Sequence, residues 1–334
     1  MTREKAVLRV GVIGCADIAR RRAIPALRAD PRVRLVAVAS RSEAKAREFA
    51  AEFGCAAVTG YADLLARPDI DAVYVPLPSG LHDEWAGKAL RAGKHVLAEK
   101  PLTTGAAATE RLVATARDRG LALMENFMFV HHAQHREVLG LVADGAIGEV
   151  RALHAAFTIP RRPDGDIRYQ ADLGGGALLD VAGYPIRAAR LLLRGPLSVT
   201  GAVLRHDPAL GVDMGGAALL RSADGVTAHL TFGLENAYRC FYELWGTEGT
   251  LRLDRAFTPP ADHKPLIRIE RADGVQEITL APDDQFAGSV RRFADLALSG
   301  EGRARWAQDA LRQAELVEEI RRSATVVTGG RRGA

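Results

Sequence analysis

The hydrophobic positions of this chain follow two different patterns. In the first third, short apolar runs alternate with segments in which apolar residues recur every three to four positions, as on a helix. The predicted strands are Leu8–Ile13, Val33–Ala39, Ala72–Val75, His95–Ala98 and Ala122–Glu125. The predicted helices are Ala16–Ala29, Ser42–Phe53 with Ser42 as N-cap, His82–Ala92, and a segment capped by Thr103 or Thr104 that ends at Arg119. Strands that alternate with helices predict a doubly wound parallel sheet.

After about residue 125, the pattern changes to short strands that Gly, Pro and Asp separate. These predicted strands are Val150–Thr158, Val199–Leu204, Ala217–Leu220, Thr227–Phe232, Phe241–Trp245, Thr250–Leu253, Leu266–Ile269 and Gln276–Leu280. One long helix, Ala177–Leu193, lies among them, and Gln285–Ser299 and Ala304–Arg322 are closing helices. We therefore expect an α/β domain over residues 1–124 and an α+β domain with an antiparallel sheet over residues 125–334.

Composition narrows the class of protein. A chain of 334 residues with 48% hydrophobic and 26% charged residues suits two globular domains. No apolar run could span a bilayer, and Met1–Ala6 leads into the first strand without a signal-peptide core, so no membrane partner is expected. Cys15, Cys55 and Cys240 fit neither a disulfide framework nor a zinc site, which favours a cytoplasmic location. The tail Gly329–Ala334 is expected to fray.

The excess of basic over acidic residues raises the question of a nucleic-acid partner. The net charge is +4, and the isoelectric point is near 9.1. However, the arginines are spread along helices that also carry acids, and no stripe of basic and aromatic residues is present. We therefore expect no nucleic-acid partner.

The turn after the first strand has the composition of a dinucleotide-binding turn. The fingerprint glycines at positions 14, 16 and 19 are here Gly14, Ala16 and Ala19. Gly14 allows the tight turn, and the two small residues let the backbone approach a pyrophosphate at the helix N-terminus. Close packing of helix on strand without a ligand is the alternative.

The end of the second predicted strand indicates which nicotinamide cofactor is preferred. A site that prefers NAD carries an acid there for the ribose 2′-hydroxyl, whereas this chain has Ser40 and Arg41. A hydroxyl and a guanidinium suit a 2′-phosphate, so NADP(H) is the expected cofactor. The alternative is a plain N-cap serine beside a solvated arginine.

The loops after the third and fourth strands lie where doubly wound folds bind ligands. The first loop, Pro76–His82, is stiffened by two prolines, and the second contains Glu99-Lys100-Pro101. Only six of the 45 Lys and Arg residues are lysines, which suggests that position 100 requires a compact, titratable ammonium. A surface lysine that escaped the arginine bias is the alternative.

Asp180 and Tyr184 are the candidate polar residues of the second part. They are four residues apart, so the predicted helix Ala177–Leu193 places them on one face. A lysine ammonium beside the Tyr184 hydroxyl would lower its pKa and make it a proton donor. A tyrosine with a packing role is the alternative.

Three histidines lie close together in the sequence, at His131, His132 and His135. At most one pair of them could share a helical face, and no carboxylate stands at ligand spacing. We therefore expect a polar lining or a structural role, and no metal.

Together, these motifs resemble the Gfo/Idh/MocA oxidoreductases over nearly the whole chain. They are the turn at Gly14, Glu99-Lys100-Pro101, the segment Gly174–Asp180, and Gly183-Tyr184-Pro185. Tyr184, where many members have histidine, resembles the glucose–fructose oxidoreductase and dihydrodiol dehydrogenase branch. Two segments resemble the nucleotide-sugar 3-ketoreductases of deoxysugar biosynthesis, namely Met124–His135 and Leu244–Thr250.

The resemblance implies a Rossmann domain joined to an open-faced antiparallel-sheet domain, with a homodimer or homotetramer formed through that sheet. It implies that Lys100 orients the carbonyl and the nicotinamide ribose, and that Tyr184 supplies the proton. The expected NADP(H) contacts are Gly14, Cys15, Ala16, Asp17, Ile18, Ser40, Arg41, Lys45, Pro76, Leu77, Pro78, His82, Glu99 and Lys100. The expected substrate contacts are Asn126, Met128, His131, Arg168, Asp180 and Tyr184. The alanines at 16 and 19 depart from the full glycine fingerprint, on which the pyrophosphate contact depends.

The implied activity is the NADPH-dependent reduction of the C3 ketone of a dTDP-linked 3,4-diketo-2,6-dideoxyhexose, in deoxysugar and antibiotic biosynthesis. A free-sugar or trans-dihydrodiol dehydrogenase is the alternative within the family, although dihydrodiol-type relatives tend to have arginine where Val130 stands. A sensor or scaffold that binds NADP without turnover is the alternative from another class, against which Lys100 and Tyr184 argue. The arginines before the glycine-rich turn are candidates for diphosphate contact or for a solvated face, namely Arg161, Arg162 and Arg168.

Overall fold

The computed structural model describes residues 7–329, and the expectations for Met1–Ala6 and for the tail beyond Gly329 lie outside them. The chain divides into two compact units. Unit 1 comprises Met1–Phe127 and Phe286–Ala314, and unit 2 comprises Met128–Gln285 and Glu315–Ala334. These units differ from the expected division at residue 124 chiefly because a late segment belongs to unit 1. Within residues 7–329, no helix combines the length and apolar character that a membrane crossing needs.

Six parallel strands form the sheet of unit 1. They are β1 (Leu8–Ile13), β2 (Val33–Ser40), β3 (Ala56–Thr59), β4 (Ala72–Val75), β5 (His95–Glu99) and β6 (Leu123–Asn126). Their order across the sheet is β3-β2-β1-β4-β5-β6, and each pairing is parallel. The strand order reverses between β1 and β4, which is where such folds bind ligands at the carboxyl ends of the strands. The doubly wound α/β class is confirmed for this unit.

The helices of unit 1 that alternate with these strands are α1 (Ile24–Ala29), α2 (Glu43–Phe53), α3 (Tyr61–Leu65), α4 (His82–Arg91) and α5 (Ala106–Asp118). Ser42 caps α2 as predicted, since its hydroxyl accepts a hydrogen bond from the Lys45 amide. A π-helical turn over Ala19–Ala23 precedes α1, so the predicted helix Ala16–Ala29 is not uniform.

The predicted threonine cap of α5 is wrong. The N-cap is Gly105, and it makes no side-chain capping bond. The Thr103 hydroxyl instead bonds the Gly105 carbonyl at 2.7 Å and the Thr109 hydroxyl at 2.8 Å. The Thr103 hydroxyl also accepts from the Gly105 amide at 3.3 Å, so it fixes the N-cap residue of α5.

Nine strands form the sheet of unit 2. They are β7 (Val150–Thr158), β8 (Leu197–Asp207), β9 (Val212–Ser222), β10 (Thr227–Gly233), β11 (Arg239–Gly246), β12 (Gly249–Asp254), β13 (Leu266–Arg271), β14 (Gly274–Thr279) and β15 (Ala324–Thr328). Their order is β14-β13-β12-β11-β7-β10-β9-β8-β15. The pairs β7–β10 and β8–β15 are parallel and the others antiparallel. The predicted mostly antiparallel α+β class is confirmed.

The helices of unit 2 are α6 (Ala133–Ala143), α7 (Ala177–Asp180) and α8 (Gly183–Leu192). The single predicted helix Ala177–Leu193 is therefore wrong, because it breaks at Val181 and Ala182. Pro185 gives the physical reason. In a continuous helix, its ring would clash with the carbonyl of Val181, four residues earlier, and it has no N–H to donate there. Asp180 and Tyr184 thus lie on two successive helices and not on one continuous face.

Two closing helices follow the sheet of unit 2, α9 (Gln285–Ser299) and α10 (Arg303–Ser323), close to their predicted bounds. Most of α9 and the first half of α10 belong to unit 1. The Ser289 hydroxyl donates to the Asn126 side-chain oxygen at 2.5 Å, and Arg32 pairs with Asp295 at 2.5 Å. Ala310 joins the buried apolar cluster of the Rossmann-type sheet. The late segment is therefore part of the core of unit 1.

Candidate functional site

The turn after β1 depends on a glycine. Gly14 has φ +111°, in the region that favours glycine, and its amide donates to the Ala39 carbonyl at 2.9 Å. A Cβ at this position would lie 2.8 Å from Cδ2 of Leu77. The missing side chain thus lets the turn approach both β2 and the loop after β4. This is the tight turn that the first glycine of the dinucleotide fingerprint provides.

The end of β2 brings three of the predicted residues beside this turn. Ser40 is buried, and its hydroxyl accepts from the Ser42 amide at 3.1 Å, which fixes the start of α2. Arg41 and Lys45 are exposed. Cys15 reaches back from the turn to the Lys45 carbonyl at 3.6 Å, and burial raises the pKa of its thiol. Two cations and a hydroxyl therefore converge where a 2′-phosphate would bind.

Tyr61 is a functional candidate that the sequence did not indicate. It opens α3 directly after the short strand β3, and its ring packs edge-on against Trp85 with centroids 5.0 Å apart. Burial raises the pKa of its hydroxyl, and the nearby Arg41 guanidinium opposes that rise. The signal was missed because β3 is a four-residue strand with alternating exposure, which makes no apolar run.

These residues line one cleft of about 540 Å³ in unit 1. Its lining is Gly14, Cys15, Ala16, Ser40, Arg41, Ser42, Lys45, Tyr61, Pro76, Leu77 and Pro78. The donor set fits the phosphate-bearing half of NADP, because glycine leaves room for the backbone and the cations stand at the 2′-phosphate position. Five of the expected cofactor residues do not line this cleft, namely Asp17, Ile18, His82, Glu99 and Lys100.

Asp17 and Ile18 follow the turn at the start of the helical segment. Asp17 is exposed and pairs with Arg21, and Ile18 is partly buried. Neither residue is among those lining the cleft. Their contact with a cofactor remains a prediction.

Glu99, at the end of β5, is held from two sides. Its Oε1 accepts from the Tyr74 hydroxyl at 2.7 Å and from Nδ2 of the Asn126 side chain at 2.7 Å. Asn126 is 1% exposed and accepts in turn from Ser289. The Asn126 side chain thus orients Glu99, the residue before Lys100, and its expected contact with substrate stays a prediction. Lys100 itself is partly buried and begins the turn that leads to α5.

His82 is fully buried at the start of α4. Its Nε2 lies 2.7 Å from the Leu77 carbonyl oxygen and its Nδ1 2.8 Å from the Pro101 carbonyl oxygen. Burial lowers the pKa of this imidazole. Both ring nitrogens are therefore directed at backbone, which does not favour the expected direct contact with a cofactor.

Tyr184 lies in an aromatic cluster of unit 2. Its ring centroid is 4.7 Å from that of Phe157, 5.9 Å from Phe129 and 5.8 Å from Phe257. The side chain is 6% exposed, so three rings fix its orientation and exclude water from most of its surface. The ring of Tyr184 is thus held on a rigid aromatic support.

The glycine-rich turn before α7 explains how Asp180 is placed. Gly176 has φ +107°, and a Cβ there would lie 2.5 Å from Oδ1 of Asp213. Asp213 accepts from the Leu178 amide at 2.7 Å, and burial raises the pKa of its carboxyl. Asp180 then accepts from Nε of Arg168 at 2.7 Å.

The three arginines before this turn are engaged differently. Arg168 also bonds Asp166, so two carboxylates balance its charge. Arg161 pairs with Asp164 at 3.0 Å and with Glu235 at 3.1 Å. Arg162 has an exposed side chain, and only its backbone amide is fixed, by the Tyr169 hydroxyl. This arrangement does not favour Arg161 and Arg168 as diphosphate ligands, and it leaves Arg162 as the candidate.

Of the segment after β6, Met128 is buried and His131 partly buried. His132 caps α6, and burial lowers its pKa. His135 bonds the Tyr242 hydroxyl at 3.0 Å, and burial lowers its pKa to about 3. Among residues 7–329, no group of His, Cys, Asp and Glu is arranged to hold a metal ion.

Comparison with protein families and known proteins agrees with this geometry. The oxidoreductase family model with an NAD-binding Rossmann fold, GFO_IDH_MocA, matches residues 8–127. The GFO/IDH/MocA C-terminal domain model matches residues 135–252.

Three relatives extend the match over nearly the whole chain. The dTDP-3,4-didehydro-2,6-dideoxy-alpha-D-glucose 3-reductase of Actinomadura kijaniata is 57% identical, covering 95% of this chain and 96% of that protein. The enzyme of the same name from Streptomyces violaceoruber is 56% identical, with 96% of each chain covered. The crystal structure of KijD10, a 3-ketoreductase from Actinomadura kijaniata in complex with NADP and TDP-benzene, has TM-score 0.95 and 56% identity, covering 97% of this chain and 100% of that one. The chain therefore belongs to the Gfo/Idh/MocA oxidoreductase family.

Proposed function

We infer that this protein is an NADPH-dependent reductase of the C3 ketone of a dTDP-linked 3,4-diketo-2,6-dideoxyhexose. The observation that carries this function is the 57% identity, over 95% of the chain, to a 3-reductase of that substrate class. The cleft beside Gly14 adds a site of the right composition for NADP. Both findings argue against the free-sugar, dihydrodiol and sensor alternatives.

The bound cofactor supplies a hydride to the C3 carbon. The protein supplies the proton and the charge. The Lys100 ammonium donates a hydrogen bond to the C3 oxygen and stabilises the negative charge that develops there. The proton on the Tyr184 hydroxyl then moves to the same oxygen, which completes the alcohol. Glu99, fixed by Tyr74 and Asn126, holds the backbone from which Lys100 extends.

Substrate contacts in unit 2 remain proposals. Asp180, oriented by Arg168, is suited to accept a hydrogen bond from a sugar hydroxyl. The partly buried His131 and the buried Met128 are suited to line the same site. Arg162 is the proposed partner of the diphosphate, because its guanidinium is exposed.

Selectivity for NADPH should depend on Arg41. Arg41→Ala should weaken NADPH binding about tenfold or more and NADH binding little, because a charge-assisted phosphate contact contributes roughly 1.5–3 kcal/mol. Fluorescence titration of both cofactors measures this difference. Arg47→Ala is the matched control, since Arg47 is an exposed arginine of α2, the helix that follows Arg41, and pairs with Glu43. Equal losses for NADPH and NADH would show that Arg41 does not bind the 2′-phosphate.

The nucleotide should be required for efficient turnover. We expect kcat/KM on the dTDP-linked keto sugar to exceed that on the free keto sugar, because binding of the remote nucleotide orients the reacting carbonyl. Steady-state consumption of NADPH on both substrates measures the ratio. Comparable efficiencies would instead favour the free-sugar dehydrogenase.

We also propose that the open face of the nine-stranded sheet joins subunits of a homodimer or homotetramer. Residues alternate along β11 and β13, with Tyr242, Leu244 and Ile267 buried on one face. On the other face, Trp245 is 45% exposed, and its ring packs on His154 at 4.1 Å. An exposed tryptophan on the open face of a sheet is suited to contact with a second copy. A cytoplasmic location also remains a proposal.

A further inference from the structure

The ring of His82 connects two loops at the carboxyl edge of the parallel sheet. It is 0% exposed, and its two nitrogens lie within hydrogen-bond distance of two backbone carbonyls. The Leu77 carbonyl belongs to the loop after β4, and the Pro101 carbonyl belongs to the turn after β5. One side chain thus spans two loops that are more than twenty residues apart in the sequence.

Each of these loops carries part of the proposed chemistry. Leu77 lines the cofactor cleft, and its side chain packs against the turn at Gly14. Pro101 directly follows Lys100. On the other side of Lys100, Glu99 is already fixed by Tyr74 and Asn126. The contact of His82 with Pro101 therefore holds the second end of the short segment that contains Lys100.

The two contacts are chemically separable. A carbonyl oxygen only accepts, so the ring must donate to each of the two carbonyls, and both contacts are hydrogen bonds when the imidazole is protonated and carries two N–H groups. Burial lowers the pKa of His82 and the Lys100 charge adds to this, whereas the two carbonyls and the Glu99 charge favour the protonated ring that bonds both loops. An asparagine amide nitrogen takes the place of Nδ1, and a glutamine amide nitrogen takes the place of Nε2.

We propose that His82 is a positioning residue that couples the cofactor-binding loop at Leu77 to the catalytic turn at Lys100, through the carbonyls of Leu77 and Pro101. This role rests on the proposed catalytic function of Lys100. His82 acts through backbone and touches neither cofactor nor substrate. It is buried behind the site, which distinguishes it from the residues that line the cleft.

Two substitutions separate the contacts. His82→Gln keeps the donor toward Leu77 and loses the one toward Pro101, so kcat should fall about three- to tenfold while the NADPH dissociation constant stays nearly unchanged. His82→Asn keeps the donor toward Pro101, so the NADPH dissociation constant should rise about three- to tenfold while kcat changes less. Fluorescence titration of the NADPH dissociation constant is independent of turnover. Hydrogen exchange of the cofactor-free protein should speed up at residues 100–104 in the first variant and at residues 77–81 in the second.

His95→Gln is the matched control. His95 is a partly buried histidine of the same unit, and it accepts from the Ala122 amide at 2.9 Å, at the opposite end of β5. If both His82 variants change kcat and NADPH binding by the same factors, or behave as His95→Gln does, the positioning role is overturned. Lys100→Ala is measured in parallel. Wild-type turnover in Lys100→Ala would overturn the proposed mechanism itself, whereas an inactive Lys100→Ala beside control-like His82 variants would overturn this inference alone.

Discussion

Replacing Lys100 with alanine is expected to reduce turnover at least as far as the loss of a general acid does, which is about a hundred- to ten-thousand-fold. In the proposed mechanism, the substitution removes the hydrogen bond to the C3 oxygen and the positive charge that stabilises the negative charge developing there. The measurement is single-turnover oxidation of NADPH in the presence of saturating keto sugar. The substitution should leave folding unaffected, because Lys100 lies at the edge of the core of unit 1. Thermal unfolding of the variant checks this.

Two further lysine variants test whether the shape and the position of the cation matter. Lys100→Arg should also fail, since a planar guanidinium cannot take the position of a compact ammonium. Lys88→Ala should keep wild-type turnover, because Lys88 is exposed and pairs with Glu84 on α4. A Lys100→Arg enzyme with normal turnover would show that charge alone is required at this position.

Tyr184→Phe should lower turnover by about a hundred- to ten-thousand-fold and leave the NADPH dissociation constant nearly unchanged. Phenylalanine keeps the contacts of the ring with Phe157, Phe129 and Phe257 and removes only the hydroxyl. A primary deuterium isotope effect with labelled NADPH establishes whether the chemical step limits the rate.

Tyr242→Phe is the matched control for this tyrosine. Tyr242 is fully buried in the same unit, and its hydroxyl bonds His135. This variant should lose stability without a comparable loss of turnover. If Tyr184→Phe turns over like the wild type while chemistry limits the rate, Tyr184 is not the acid, and Lys100, His131 and His132 become the candidates.

Much of the fold could be predicted from the sequence because its signals are local. The apolar runs of β1, β2, β4 and β5 are buried on both faces of the parallel sheet, so each stands out against the helices that flank it. The cofactor cleft was predictable for the same reason. Two of its central residues lie at the ends of those strands, since Gly14 directly follows β1 and Ser40 is the last residue of β2.

The remaining features depend on contacts that are distant in the sequence. The edge strand β3 is short and half exposed, so Tyr61 carried no signal. The break between α7 and α8 was not predicted, because the helical spacing of apolar residues continues through Pro185. The steric effect of the proline ring outweighs that spacing. The two carbonyls that His82 contacts could not be read from the sequence, because one of them belongs to a turn 19 residues away.

The segment Phe286–Ala314 belongs to unit 1 but is synthesised after most of unit 2. All six strands of the parallel sheet have been synthesised by residue 127. At that point Ser289, the partner of Asn126, and the core residue Ala310 are not yet translated. At about 5–20 residues per second, that delay lasts on the order of ten seconds or more. During this interval, the apolar surface of unit 1 that Ala310 later covers is exposed on the nascent chain.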